Sequence, residues 1–207
     1  MPKIKKNKTI LAIGPHPDDI ELGCFGTMAR FAAEGSEINF LVLTKGEGGA
    51  LDGDRLDEAN RSARLIKANL YFEDLPDRYL SDGLETISII EKYVETLKPD
   101  VVFMPTGNDT HQDHRAAFNA GLVGCRLVKE VYAYETPSTS RNFFPNYFVD
   151  ITKYIDLKLK AVKIHSSQGG KGYMADRAVK GLAEYRAFDI LLNDKTVEGF
   201  EVIKVVI

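Results

Sequence analysis

Short apolar segments alternate with segments of helical periodicity along the chain, and this alternation is the feature that most restricts its fold. Residues 9–14 (TILAIG) form an apolar run that ends before Pro15, which is typical of a buried parallel strand. Residues 21–34 then place apolar side chains at helical spacing and stop at Gly35. Because repeated strand–helix–strand units need crossover connections, the pattern predicts an open, mostly parallel α/β sheet with helices on both faces.

The full prediction is a Rossmann-like sheet in one domain that spans residues 1–207, since a typical domain has about 150 residues. The predicted strands cover 9–14, 37–44, 69–72, 100–104, 130–134, 147–151 and 200–207. The predicted helices cover 21–34, 54–68, 83–97, 113–127, 157–164 and 176–188, and a glycine-rich loop covers 45–54. In such sheets ligands bind at the carboxyl ends of the strands, so functional side chains are expected just after a strand.

The composition excludes several classes of function. The chain has 27 basic and 30 acidic residues, a formal net charge of -3, which argues against nucleic acid as a partner. No apolar run approaches the roughly 20 residues that span a bilayer, so we expect no membrane insertion. Cys24 and Cys125 are too far apart for a Cys-x-x-Cys motif, and we expect both to be buried, reduced thiols. These features favour a cytoplasmic protein.

An imidazole and three carboxylates follow the first predicted strand within six positions, in the sequence His16-Pro-Asp18-Asp19-Ile-Glu21. This segment replaces the glycines of a dinucleotide-binding turn, and the chain has no phosphate-loop motif, so a nucleotide enzyme is not expected. Since Asp18 and Asp19 are adjacent, their side chains point in different directions, so one can bind a metal while the other faces the open coordination position. The alternative is that Asp19 only caps the next helix and His16 fills a turn.

A second polar cluster, 107–115 (GNDTHQDHR), follows the fourth long predicted strand. Three of the four histidines therefore lie in two loops that converge on one edge of a parallel sheet. His16, Asp19 and His114 would form a two-histidine, one-carboxylate set, which is typical of catalytic Zn²⁺ and also suits Fe²⁺. The alternative is that Asp113 is a helix cap and His111 an exposed loop residue.

The two clusters together resemble the LmbE-like, or PIG-L, family of zinc-dependent deacetylases of N-acetylglucosamine conjugates. The resemblance rests on 15–27 (PHPDDIELGCFGT), 109–116 and 163–168 (KIHSSQ), in the family's order. It implies metal ligands at His16, Asp19 and His114, and a general base at Asp18. It also implies that His111 assists the tetrahedral intermediate and that Asp113 orients His111.

The resemblance further implies an activity and its requirements. A metal ion would activate water and polarise the amide oxygen, while Asp18 accepts the proton and a protonated His111 stabilises the oxyanion. We therefore predict hydrolysis of an N-acetylglucosamine-type sugar or its conjugate to acetate and a free amine, with Zn²⁺ as the cofactor. The expected partner is a small amino sugar, and the resemblance points to a homo-oligomer.

Two further possibilities remain open from the sequence. Arg55 and Glu58 lie three positions apart at the start of a predicted helix, so Arg55 either contacts the substrate, as the resemblance implies, or forms a surface ion pair with Glu58. The competing functions are a metal-binding protein without catalysis and a hydrolase of non-sugar N-acyl amides. A purely structural site is usually closed by four protein ligands, whereas here the spare carboxylate of Asp18 favours catalysis.

Overall fold

The computed structural model describes residues 7–49 and 54–206, so residues 50–53 of the predicted glycine loop and the last residue of the predicted final strand lie outside it. The strands are β1 (Thr9–Gly14), β2 (Glu37–Thr44), β3 (Asn69–Leu75), β4 (Val101–Pro105), β5 (Glu130–Tyr134), β6 (Tyr147–Asp150) and β7 (Val197–Val205). The helices are α1 (Asp19–Gly23), α2 (Phe25–Ala33), α3 (Arg55–Arg64), α4 (Leu84–Leu97), α5 (Gln112–Gly124), α6 (Ile155–Ile164) and α7 (Asp176–Asp189). Short 3-10 turns cover Glu47–Gly49, Ser166–Gln168 and Gly172–Met174.

The described strands form one seven-stranded sheet in the order β3-β2-β1-β4-β5-β7-β6. The first five strands in the chain are parallel to one another, and β7 runs antiparallel to both β5 and β6. The prediction of an open, mostly parallel sheet is therefore confirmed. Because β2 and β3 extend the sheet to one side of β1 while β4 and β5 extend it to the other, the strand order reverses at β1 and β4. Loops that leave the carboxyl ends of these two strands diverge and open a crevice.

Helices cover both faces of the sheet, and β1 shows why. Its side chains alternate between two cores, as the period of two along a strand requires. Ile10 and Ala12 pack with side chains of α2, α3 and α6 on one face, while Leu11 and Ile13 pack with α4 and α5 on the other. All four side chains are fully buried, so β1 carries an apolar run rather than an alternating one.

The single helix predicted over 21–34 is two helices, and this is the main difference in secondary structure. The break falls at Cys24, whose φ of -144° and ψ of 12° are not helical. The Glu198 carboxylate on β7 accepts the backbone N–H groups of Gly26 and Thr27, at 3.0 and 2.7 Å, and so caps α2. Because this cap is 172 positions away in the chain, local spacing does not reveal it.

Smaller differences concern element ends: α5 stops at Gly124, β3 extends to Leu75, and β7 begins at Val197. The longest described helices, α4 and α7, have 14 residues each, and none of the described helices is long and apolar enough to cross a bilayer. Both cysteines are free and buried, as predicted.

Gly23 sets how closely α1 approaches the sheet. A Cβ atom at Gly23 would lie 2.1 Å from the Cδ2 atom of the Tyr134 ring. That ring cannot move aside easily, since Tyr134 is fully buried and its hydroxyl donates to the Ile13 carbonyl oxygen at 2.7 Å. A residue without a side chain is therefore required where α1 meets β5.

We expect Gly23→Ala to lower the free energy of unfolding by about 1–3 kcal/mol, the usual effect of overpacking a core. Gly181→Ala in α7 is the matched control, because a Cβ there meets nothing within 4 Å and alanine favours a helix by about 0.5–1 kcal/mol. Urea denaturation measures both changes. Equal stability of Gly23→Ala and the unchanged chain would show that the contact with Tyr134 is not tight.

Candidate metal centre and active site

The candidate site lies at the carboxyl ends of β1, β3 and β4, in the crevice where the strand order reverses. His16 follows β1 by two residues, and the loop and first turn of α5 after β4 carry Asp109 and His114. The structure brings the two predicted segments together, although they are 97 positions apart at His16 and Asp113.

The Asp19 carboxylate contacts a histidine from each segment. Its Oδ2 atom lies 3.1 Å from His16 Nδ1, and its Oδ1 atom lies 3.3 Å from His114 Nε2. Two ligands bound to zinc at 2.0–2.2 Å with a tetrahedral angle would be ~3.4 Å apart, so both separations suit a shared ion. All three residues are buried and their donor atoms lie within 4.8 Å of one another. The donor set therefore fits a divalent metal.

A second set of donor atoms, from His16, His111 and Asp113, also lies within 4.8 Å. The oxygens of Asp113 are already engaged, however, because they accept the backbone N–H groups of Arg78 and Leu80 at 2.7 and 3.2 Å. The first set is the better metal site, since its Asp19 oxygens face the two imidazoles.

The orientation of the His114 ring is fixed by a carboxylate at Nδ1, on the side of the ring away from Asp19. Its Nδ1 atom lies 2.9 Å from Asp109 Oδ2, and that oxygen also accepts the Thr136 hydroxyl at 2.7 Å. Burial acts to lower the pKa of His114, but Asp19 and Asp109 outweigh it and raise this pKa to about 9. A carboxylate behind the imidazole fixes the ring orientation and the tautomer, leaving Nε2 to face the metal position.

Asp18 stands beside the ligand set in a strained backbone conformation. Its φ of 117° lies in a region that side chains other than glycine rarely adopt. Burial and the neighbouring Asp19 charge raise the pKa of Asp18 to about 6, although Arg55 opposes them. A buried carboxyl that titrates near neutral pH and lies outside the ligand set is suited to accept and release a proton.

Arg55 holds Asp18 and the chain around it. Its Nη2 atom donates to Asp18 Oδ1 at 3.0 Å and to the Pro17 carbonyl oxygen, and Nη1 donates to the Gly46 carbonyl oxygen at 2.7 Å. The proposed surface ion pair with Glu58 is wrong, because both residues are buried and Glu58 instead accepts hydrogen bonds from Ser166 and Ser167. Arg55 also lines the crevice, and its contact with substrate stays a prediction.

The crevice has a volume of about 330 Å³. It is lined by the candidate ligands, by Asp18 and Arg55, and by a further polar rim of Arg78, His111, Ser138, Lys171 and Tyr173. A small molecule with hydroxyl groups would find donors and acceptors on every side.

Comparison with known proteins agrees with this geometry. The family described as PIG-L, GlcNAc-PI de-N-acetylase, matches residues 11–123, which is more than half of the chain and includes both metal segments. The chain belongs to the PIG-L family.

Three relatives illustrate the similarity. The chain is 38% identical over 174 residues to the uncharacterized deacetylase YaiS of Escherichia coli, covering 78% of this chain and 92% of that protein. It is 31% identical over 190 residues to the diacetylchitobiose deacetylase of Thermococcus kodakarensis, covering 78% and 70%. The crystal structure of a conserved protein from Thermus thermophilus superposes with a TM-score of 0.87 at 29% identity, covering 97% and 96%.

The expected pairing of Asp113 with His111 is wrong for this PIG-L chain. The Asp113 carboxylate lies 3.0 Å from His16 Nε2, and the His111 ring instead accepts the backbone N–H of Asp113 through Nδ1 at 3.2 Å. Burial and the neighbouring imidazoles of His114 and His16 lower the pKa of His111. The lowered pKa and the acceptor role of Nδ1 favour a neutral imidazole at His111, whereas the sequence predicted a protonated one.

Asp77 and Asp109 are site residues that the sequence interpretation missed. Asp77 Oδ1 lies 3.1 Å from His16 Nε2, and its Oδ2 accepts the Gly48 backbone N–H at 2.6 Å. The hydrogen bond to His16 has the largest effect on the pKa of Asp77 and, although burial opposes it, lowers that pKa to about 2. Asp77 follows the observed end of β3 by two residues, as His16 follows β1, but the predicted strand ended at residue 72 and so did not reveal this position.

His165 is fully buried at the end of α6, and its Nε2 atom lies 3.3 Å from Glu21 Oε1. Glu21 also accepts the Ser62 hydroxyl at 2.6 Å. Burial tends to lower the pKa of His165, and the carboxylate of Glu21 more than offsets this and raises it. These contacts indicate a structural role for His165.

Removing the Asp113 charge tests how His16 is held. We expect Asp113→Asn to weaken Zn²⁺ binding by about 10–100-fold, the usual effect of losing a carboxylate behind a ligand histidine. Competition with a chromogenic chelator measures the dissociation constant. His111→Ala is the control and should leave it unchanged. If Asp113→Asn binds Zn²⁺ normally but loses turnover as His111→Ala does, Asp113 acts on His111 after all.

The strain at Asp18 has a measurable consequence. We expect Asp18→Gly to be more stable than Asp18→Ala by about 1 kcal/mol. Glycine adopts this backbone conformation without the strain of about 1–3 kcal/mol that alanine would carry. Part of the gain is lost because glycine makes the unfolded chain more flexible. Both variants lose the same carboxylate and the same contact with Arg55, so the comparison isolates the backbone. Urea denaturation of the two variants gives the difference, and a less stable glycine variant would contradict it.

Proposed function

We propose that this chain is a metal-dependent N-deacetylase that hydrolyses the acetamide of an N-acetylglucosamine-type sugar or its conjugate to acetate and a free amine. The single observation that carries the proposal is the buried carboxylate of Asp18 beside a three-residue donor set. A structural metal site has no use for such a group, whereas hydrolysis needs a base next to the reacting water.

His16, Asp19 and His114 would hold the metal. When bound there, a divalent ion supplies Lewis-acid polarisation of the amide carbonyl and lowers the pKa of water. The remaining proton chemistry belongs to this chain. An Asp18 oxygen accepts one proton from the attacking water, and Arg55 Nη2 keeps that carboxylate directed at the crevice.

The same proton completes the reaction. As the carbon–nitrogen bond breaks, the protonated Asp18 carboxyl returns its proton to the departing nitrogen, so that water and amide become acid and amine. A pKa of about 6 suits both transfers, because a group used as base and then acid works best near the working pH.

His111 has a different task, which follows from its tautomer. Because Nδ1 accepts the backbone N–H of Asp113, the ring proton resides on Nε2. The Nε2–H group can then donate to the oxygen that becomes negatively charged as water attacks. Such a preorganised donor stabilises charge that is present only in the transition state.

The substrate class follows from the relatives and from the crevice. The similar Thermococcus kodakarensis protein is a diacetylchitobiose deacetylase, and the family description names a de-N-acetylase of a GlcNAc conjugate. The polar rim formed by Arg78, Ser138 and Lys171 offers partners for sugar hydroxyls. Contact of Arg55 with the bound sugar is also part of this proposal.

The proposal also covers the metal ion, the location and the assembly of the protein. Zn²⁺ is the proposed ion because two imidazoles and one carboxylate are its usual catalytic ligands, and Fe²⁺ is the alternative. The buried, unpaired thiols of Cys24 and Cys125 favour the reducing cytoplasm. A single domain over 1–207, a homo-oligomer and the absence of nucleic acid among the partners complete the proposal.

Acetate release tests the function directly. We expect the Zn²⁺-loaded protein to release acetate from N,N'-diacetylchitobiose or N-acetylglucosamine, and Asp18→Asn to reduce kcat by about 10²–10⁴-fold, the range for loss of a general base. Bound zinc, measured by mass spectrometry, should stay the same. Asp57→Asn is the matched control, since it removes an exposed carboxylate whose ion pair is with Arg61.

The outcomes separate the competing functions. Zinc binding without acetate release from any N-acetyl compound would identify a metal-binding protein without catalysis. Acetate release from an N-acetyl amino acid but not from either sugar would identify a hydrolase of non-sugar amides. Near-normal turnover by Asp18→Asn would overturn the assignment of the base.

A further inference from the structure

A second cavity of about 240 Å³ lies beside the crevice that holds the metal ligands. Leu22, Pro137 and Tyr173 contribute to the walls of both spaces, so these side chains separate the two. None of the proposed chemistry uses this second cavity, which we term the side cavity.

The side cavity begins close to the reacting groups. Leu22 lies one helical turn after Asp18, and its backbone N–H donates to the Asp18 carbonyl oxygen at 2.9 Å. On the opposite wall, Pro137 lies between Thr136 and Ser138, whose hydroxyl groups are 3.2 and 3.5 Å from His114 Nδ1. Because Leu22 and Pro137 line both spaces, a substituent that leaves the crevice past these two side chains enters the side cavity.

The walls of the side cavity are mainly apolar. Helix α7 packs against β7 and contributes one complete face, made of Ala178, Val179, Leu182 and Ala183. Val179 and Ala183 are buried, while Leu182 is 40% exposed, so the far end of the cavity reaches solvent. Binding of an apolar group against such walls is favourable, because it removes apolar surface from water.

The charged groups of the side cavity already have partners. Arg186 donates to both oxygens of Glu135, from Nε at 2.7 Å and from Nη2 at 2.6 Å. Lys158 donates to Glu198 at 2.5 Å, and Glu198 also caps α2. Since each cation is neutralised by a carboxylate, the cavity offers no net charge to an ionic ligand, and a neutral group is favoured.

We propose that the side cavity is a subsite for a neutral, mainly apolar substituent of the substrate. This rests on the proposed deacetylase function and narrows its substrate class. Since one water molecule occupies ~30 Å³ in the liquid, a cavity of about 240 Å³ has room for about eight groups of the size of a water molecule. A sugar that carries only an acetyl group and a free anomeric hydroxyl has no substituent long enough to occupy the side cavity. The substituent is either the acyl chain or the group at the anomeric carbon.

Two substrate series distinguish these sources. One series extends the acyl group, as N-acetyl-, N-butyryl- and N-hexanoylglucosamine, and the other extends the anomeric group, as methyl, butyl and hexyl glycosides of N-acetylglucosamine. In the series that enters the side cavity, KM should fall about threefold to fourfold for each buried methylene, with kcat little changed. Equal or rising KM along both series would overturn the proposal.

A filled cavity provides the second test. Ala178→Phe, at a half-buried position on the cavity wall, should remove the preference for the longer substituent. Ala33→Phe is the matched control, because Ala33 is exposed at the end of α2 and lines neither cavity, and it should keep that preference. Ala178→Leu is a smaller filler of the same position. Retention of the full preference in folded Ala178→Phe and Ala178→Leu would overturn the proposal.

A failure of the proposed function would be recognised separately. If no acetylated sugar releases acetate, binding of the hexyl and methyl glycosides to the zinc-loaded protein, measured by calorimetry, still decides on the subsite. Tighter binding of the hexyl compound, lost in Ala178→Phe, supports the side cavity without catalysis. The same comparison is made between N-acetyl- and N-hexanoylglucosamine, and equal affinities within both pairs reject the side cavity as a subsite.

Discussion

The whole site depends on one carboxylate that contacts two imidazoles from distant parts of the chain. Asp19 lies within 3.3 Å of both His16 and His114, and it can do so because β1 and β4 are neighbours in the sheet. The register in which these two strands pair fixes where the loops after them begin. Apolar packing on both faces of β1 thus supplies the rigidity that a buried polar cluster needs, since such a cluster is costly unless every group has a partner.

Each of the two histidines of the candidate ligand set contacts a further carboxylate, and these carboxylates come from different parts of the chain. Asp109, in the loop that leads into α5, contacts His114, whereas His16 contacts Asp113 from α5 and Asp77 from the loop after β3. Asp77 also accepts the Gly48 backbone N–H, so the turn after β2 is connected to His16 through Asp77. The loops after β1, β2, β3 and β4 are thereby joined into one network, and a change in one of them reaches the ligands.

The general features of the site were predictable because they depend on local sequence. Histidines and carboxylates placed directly after apolar strands had to meet at one edge, and the structure brings His16, Asp18 and His114 together as expected. The partner of each side chain was not predictable. Asp113 turns to His16 rather than to His111, because the backbone N–H groups of Arg78 and Leu80 hold its oxygens. That constraint comes from a loop about 35 positions earlier in the chain.

By itself, the sequence determined the alternation of strands and helices, the parallel character of the sheet, and the residue types available for metal chemistry. Periodicity and punctuation by glycine and proline carry that information locally. Only the tertiary structure decided the break at Cys24, the pairing of Arg55 with Asp18, the neutral state of His111 and the side cavity behind Leu22. Each of these depends on contacts between elements far apart in the chain, and the burial that sets hydrogen-bond partners and pKa values exists only after the elements have packed.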